Sequence, residues 1–286
     1  MPKLTHSRAV VLMVAVTLMW SIAGVVTRHL EAARSFEVTF WRSLFTVLAL
    51  LVILPVFASL RHSGRALWIS GLCWSVMFTA FMVAILLMPV ANVLVTMAAA
   101  PLLTALFARI FIGHHIAPRT WVAIGVAALG IGWMYGSQMA GLPVVGTLVA
   151  LCVPVAGAVN WTVVQHSQRH GHAVDLVPAV LVGAVLSVVA TLPLALPFQA
   201  SAHDLWLLAL LGVVQLAIPC VLAVRCGQVL KAPEIALLSL LEVIFGILLA
   251  WLGAGEEPGA AVLGGGALVI GALVFNEIMG SRRIPQ

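Results

Sequence analysis

Between Lys231 and Pro258 the chain reads KAPEIALLSLLEVIFGILLAWLGAGEEP, with Pro233-Glu234 at one end and Gly255-Glu256-Glu257 at the other. The roughly twenty apolar residues between them suffice to cross a bilayer core at about 1.5 Å per residue. One carboxylate, Glu242, stands in the middle of the run. A charge near the bilayer midplane costs from about 2.5 to more than about 10 kcal/mol depending on the scale, so it is expected to face a cavity or a partner. Two readings stay open: an acid that contacts substrate or proton, and a buried glutamate that ties helices together.

The rest of the chain follows the same plan. Apolar residues make up 63% of the 286 and charged ones 8%, with a mean hydropathy of +1.18. A soluble core that size cannot be covered by so few polar residues, so the chain is expected to be an all-α polytopic membrane protein. Charged and Pro/Gly punctuation divides it into ten candidate spans, at about 9–28, 36–58, 66–88, 90–112, 117–136, 143–165, 174–198, 204–230, 233–254 and 259–279. The first run is too long for a signal-peptide core and no small-residue cleavage pattern follows, so it is expected to be retained. No extramembrane domain is expected.

Basic residues lie singly between the runs, which argues against nucleic acid as a partner despite the net charge of +5. With the N-terminus inside, the cytoplasmic side collects Lys3, Arg8, Arg61, Arg65, Arg109, Arg119, Arg169, Lys231, Arg282 and Arg283. The outer side keeps Arg28 and Arg34, and Arg42 and Arg225 fall inside spans. That asymmetry places both termini in the cytoplasm.

An internal repeat is also visible. A shift of 141 residues lays Gly71 on Gly212, Gly125 on Gly266 and Gly130 on Gly271, and a shift of 142 lays Gly113-His114-His115 on Gly255-Glu256-Glu257. The implied unit is five helices, residues 1–139 and 140–286. An odd number of spans per unit inverts the second copy, the plan of secondary transporters with a site near the midplane.

Several short marks then carry a family resemblance: Trp20-Ser21 in span 1, Arg42 in span 2, Ala98-Ala99-Ala100-Pro101-Leu102 with Gly113 in span 4, and Leu241-Glu242-Val243 with Gly255-Glu256 in span 9. Together they resemble EamA-type permeases of the drug/metabolite transporter superfamily, and within it most closely the bacterial YddG-type exporters of aromatic and other amino acids. The chain departs from that pattern at His114, Ser21 and Val243. The resemblance implies that spans 1, 3, 4, 6, 8 and 9 line a central cavity.

Polar side chains in lipid are expected to turn inward, which nominates Asn92, Asn160, Gln165, Gln215, Arg225 and Glu242. Trp20, Trp74, Phe78, Phe81 and Trp161 are candidate stacking walls for an aromatic substrate. Trp41, Trp68 and Trp206, near span ends, are expected at the interface or in lipid. Arg225 either meets the carboxylate of an amino-acid substrate whose amine faces Glu242, or reaches for the cytoplasmic surface. Pro101, Pro154 and Pro219 fall inside spans 4, 6 and 8 and are expected to kink them, as hinges or as fixed bends. Spans 5 and 10, rich in small residues, are assigned to scaffold or dimer contact.

His166, His170 and His172, with His114-His115 on the same side and Asp175 as the single acid nearby, make a poor metal site. Cys73, Cys152, Cys220 and Cys226 lie within spans without metal or disulfide spacing and are read as packing thiols. No phosphate-cradling glycine motif appears, so no cofactor is expected and energy must come from an ion gradient or from the substrate's own. The reading is a non-enzymatic exporter of small metabolites, amino acids including aromatic ones, in the bacterial inner membrane, as monomer or homodimer. The alternatives are an exporter of other metabolites or drugs, a nucleotide-sugar carrier, a channel and an intramembrane enzyme; for the last the spans show no catalytic constellation.

Overall fold

Inside hydrocarbon no water is available to backbone N–H and C=O groups, so a spanning chain must satisfy them within helices or a closed barrel. The computed structural model describes residues 4–33, 35–53, 64–87, 90–97, 99–113, 116–135, 144–169, 176–254 and 260–281, and among them every regular element is helical. In order these are α1 (His6–Thr27), α2 (Ser35–Ile53), α3 (Arg65–Leu87), α4 (Val90–Met97), α5 (Ala100–Ile112), α6 (Pro118–Tyr135), α7 (Val144–Arg169) and α8 (Pro178–Ala195). After them come α9 (Ala202–Leu210), a π-helical segment (Leu211–Ala217), α10 (Ile218–Cys226), α11 (Ala232–Ser239), α12 (Leu241–Ala254) and α13 (Ala260–Ser281). Among the described residues seven helical stretches are long and apolar enough to cross a membrane, and Ala100–Ile112 and Leu263–Asn276 are shorter apolar helices.

Three expected spans are not single α-helices. Span 4 breaks between α4 and α5, and span 9 breaks at Leu240 between α11 and α12. Span 8 runs through seven residues of π-helix. Two of these changes have a proline just downstream. Pro101 sits in the first turn of α5, where its missing N–H is harmless, and the helix stops just before it. Pro219 cannot donate to the carbonyl of Gln215 four residues back, and the π segment holds that residue. Pro154, in span 6, lies inside the continuous helix α7.

The packing partners form a simple pattern. α1 packs on α10 and α12, α7 on α3 and α5, α2 on α8 and the π segment, α8 on α3, and α6 on α13. In the order of the ten expected spans, replacing each by the one five places away leaves these most extensive contacts unchanged, though smaller ones such as α2 on α3 have no such counterpart. Glycines set the closest approaches. A methyl on Gly183 would collide with the Cβ of Trp74 and stand 2.9 Å from the carbonyl oxygen of Gly71. A methyl on Gly212 would lie 2.6 Å from the carbonyl oxygen of Arg42 and 2.6 Å from the Cβ of Phe45. Residues 42 and 183, like 71 and 212, are 141 positions apart, so one close contact reproduces the other.

Buried carboxylates tie the connections on one side of the bundle. Asp204 accepts hydrogen bonds from the backbone N–H groups of Glu31, Ala32 and Ala33 at 2.8, 3.0 and 2.9 Å, while the Ser201 hydroxyl caps α9. Glu37 in turn accepts from the backbone of Gln199 and Ala200, both at 2.8 Å. The α1–α2 connection is thus held by α9, and the α8–α9 connection by α2. On the opposite side Glu234 of α11 pairs with His6 of α1 at 2.8 Å, and Gln165 of α7 accepts from the N–H of Ala232 at 2.9 Å.

These contacts predict that Gly183→Ala and Gly212→Ala each lower the thermal midpoint of the purified protein, by an overpacking cost of about 1–3 kcal/mol. Gly125→Ala, whose methyl meets nothing within 4 Å, leaves it unchanged or raises it. Equal midpoints for the three variants would contradict the packing described.

Candidate functional site

α1, α2, α3, α4, α5, α7, the π segment, α10, α11 and α12 line a cavity of about 120 Å³ in the middle of the bundle. Its walls carry Trp20, Trp74, Phe78, Phe81 and Trp161, together with Gln215 and Glu242, seven of the eleven residues expected there. Trp74 lies between two other rings, edge-on to Trp161 at 5.9 Å and tilted to Phe78 at 5.5 Å. Trp20 and Trp161 are 141 residues apart, as are Trp74 and Gln215, so the repeat separation recurs in the lining itself.

Two local irregularities bring the polar groups to this cavity. The break at Leu240 ends α11 and places Glu242 in the first turn of α12, where the helix dipole favours an anion. Glu242 is half-buried, and among the described residues its carboxylate makes no hydrogen bond or ion pair. The π segment carries Gln215, 3% exposed, whose side chain donates to the carbonyl of Trp20 and accepts from Arg42, both at 3.4 Å.

Arg42 was not among the expected lining residues. It is 1% exposed, donates from Nη2 to the carbonyl oxygen of Phe78 at 2.8 Å and from Nη1 to Gln215, and its Nε has no partner among the described residues. A charge in mid-span marked it in the sequence, but which way it points depends on the neighbours of α2. Met77, Met97, Pro154 and Cys220 also reach the cavity. Cys73 and Cys226 are buried elsewhere and Cys152 is exposed on α7.

Other expectations need correction. Asn160 does not line the cavity: it precedes Trp161, and consecutive helical residues point about 100° apart. Its Oδ1 accepts from the Ser70 hydroxyl at 2.6 Å, tying α7 to α3. Gln165 caps the start of α11 instead of facing the centre. Arg225 is exposed in the last turn of α10, where the helix C-terminus suits a cation, and is not part of the cavity wall. Asn92 belongs to α4, and its side chain lies outside the described residues, as do His114, His115, His170, His172 and Asp175. Trp68 and Trp206 project outward, whereas Trp41 packs against Phe198 and donates to Glu37.

A second space of about 40 Å³ shares Trp20, Phe81 and Glu242 with the first and continues along α1 to Arg28. Glu242 therefore stands where the two spaces meet.

The profile of the EamA-like transporter family matches residues 7–136, the stretch from α1 to just past α6. No curated protein matches the sequence. Among solved structures, one titled only "Crystal structure of protein" has the same fold, with a TM-score of 0.78 over 98% of this chain and 100% of its own, at 20% identity.

The buried guanidinium predicts a specific pattern of stability. Gln215→Leu leaves Arg42 with one partner and costs about 1–3 kcal/mol. Adding Arg42→Met recovers part of that loss, because a buried charge and its acceptor are removed together. Thermal unfolding of the single and double variants checks this; additive losses would show that the two side chains do not depend on one another.

Proposed function

We propose that this protein is an EamA-type member of the drug/metabolite transporter superfamily, a secondary transporter that exports small metabolites across a bacterial cytoplasmic membrane by alternating access. The observation that carries the reading is that Arg42 and Glu242 line one cavity without an ion pair between them. A guanidinium and a carboxylate facing a shared space suit the two ends of a zwitterion: Arg42 takes the carboxylate in a charge-assisted bond and Glu242 takes the amine. Arg42 fills the role for which the sequence nominated Arg225. The tryptophans around the space favour amino acids with apolar or aromatic side chains, as in the YddG-type exporters.

The inverted five-helix repeat, residues 1–139 and 140–286, is part of this reading. Its support is the match to residues 7–136, the exchange pattern of helix neighbours, and the 141-residue separation shared by the glycine contacts and the cavity tryptophans. The bias of basic residues places both termini inside. In that orientation the ties among α1, α7 and α11 lie toward the cytoplasm, and the smaller space runs outward to Arg28. At about 120 Å³ the cavity falls short of the roughly 300–1,000 Å³ of ordinary ligand pockets, so a ring-bearing substrate enters when the two repeats move apart. The breaks at Ala99 and Leu240 and the π segment are the points at which such movement bends the chain. One cation in the cavity wall disfavours a nucleotide diphosphate.

Flux of labelled phenylalanine, leucine and glutamate into proteoliposomes, with and without a pH gradient, tests the proposal. Saturable flux of at least one apolar amino acid is expected. Glu242→Gln and Arg42→Gln lower it about tenfold or more, and Arg225→Gln leaves it normal. Normal flux in both cavity variants would remove these residues from the mechanism, and no flux of any amino acid would remove the substrate class.

A further inference from the structure

A second groove, unrelated to the central cavity, lies at the ends of three helices. The first turns of α3 contribute Ala66 and Ile69, the end of α5 contributes Phe107 and Phe111, and the end of α7 contributes Thr162 and His166, around a space of about 480 Å³. We infer that this groove binds an anionic phospholipid of the cytoplasmic leaflet. The inference rests on the orientation proposed above, which places these helix ends at the inner surface.

Three features at successive depths match the parts of such a lipid. At the mouth, Arg65 is exposed and forms no ion pair among the described residues. It lies one turn before Ile69, on the same face of α3 and next to Ala66, and none of the lining residues is acidic. A phosphodiester is the group that an exposed guanidinium attracts at this level of a membrane. One turn further in, about 6 Å along α7, stands Thr162. Its hydroxyl is buried, at 6% exposure of the residue, and has no partner among the described residues. A hydroxyl at that depth is placed to donate to a glycerol ester carbonyl, an acceptor a detergent ether or an alkane lacks. Beyond it Val159 continues the wall, and with Val163 and Phe107 it gives an apolar lining that suits an acyl chain. Polar groups at the mouth and a lone donor one turn below distinguish the groove from an ordinary lipid-facing crevice.

Native mass spectrometry of the purified full-length protein, titrated in turn with dioleoyl-phosphatidylglycerol and dioleoyl-phosphatidylcholine, tests the inference on binding rather than flux. Failure of the transport proposal would thus leave it standing, and the reverse. One phosphatidylglycerol should be retained about tenfold more tightly than phosphatidylcholine. Arg65→Gln should lower that affinity about tenfold, and Thr162→Val roughly threefold to fivefold for both lipids. Arg109→Gln, about 200° around α5 from Phe107 and Phe111, should change nothing. Equal retention of the two lipids, or an equal effect of Arg65→Gln and Arg109→Gln, would overturn it. Should Arg65→Gln fail to fold, Thr162→Val decides: unchanged retention refutes the site.

Discussion

The structure depends above all on how a guanidinium is kept inside an apolar bundle. Arg42 sits where hydrocarbon would penalise a charge heavily, and the protein answers with a carbonyl from α3 and an amide from the π segment. Both acceptors require departures from plain helix packing. Gln215 comes within reach because the helix widens just before Pro219, and α2 approaches that segment because Gly212 has no side chain. The price of placing one cation at the centre is therefore visible in three helices. Across the same cavity Glu242 stands beside the N-terminus of α12, with no ion partner among the described residues.

Much of the fold was legible because hydrophobicity in a membrane chain is a direct record of length. The apolar runs coincide with the helices to within a few residues, except where 54–58 lie outside the described residues and where the helices break. The breaks were harder to see. Pro101 and Pro219 act on the backbone just upstream of themselves, so the irregularities fall at Ala99 and at residues 211–217 and not at the prolines. Leu240 carries no breaking residue at all, and nothing in its neighbours announced the end of α11.

The site was read with mixed success for a related reason. The aromatic residues Trp20, Trp74 and Trp161 came to the cavity as expected, while Asn160, one position from Trp161, faces α3 and bonds to Ser70. Polarity alone says that a side chain avoids lipid; it does not say whether it finds a cavity or another helix. Arg225 shows the same limit, since a cation near a helix end has the surface within reach and took it. The 141-residue separation of Trp20 and Trp161 was present in the sequence, yet only the enclosure of both rings around one space gives that number a meaning.

The central claim is that Arg42 and Glu242 hold opposite ends of one ligand. Calorimetric titration of phenylalanine and of phenethylamine, which lacks the carboxylate, into wild-type protein and the Arg42→Met variant tests it most directly. Loss of the ligand carboxylate and loss of Arg42 should be coupled: phenylalanine binds the wild type about tenfold or more tightly than phenethylamine does, and that preference disappears in the variant. If the preference survives in Arg42→Met, or never existed in the wild type, the guanidinium serves only to hold the helices together and the account fails.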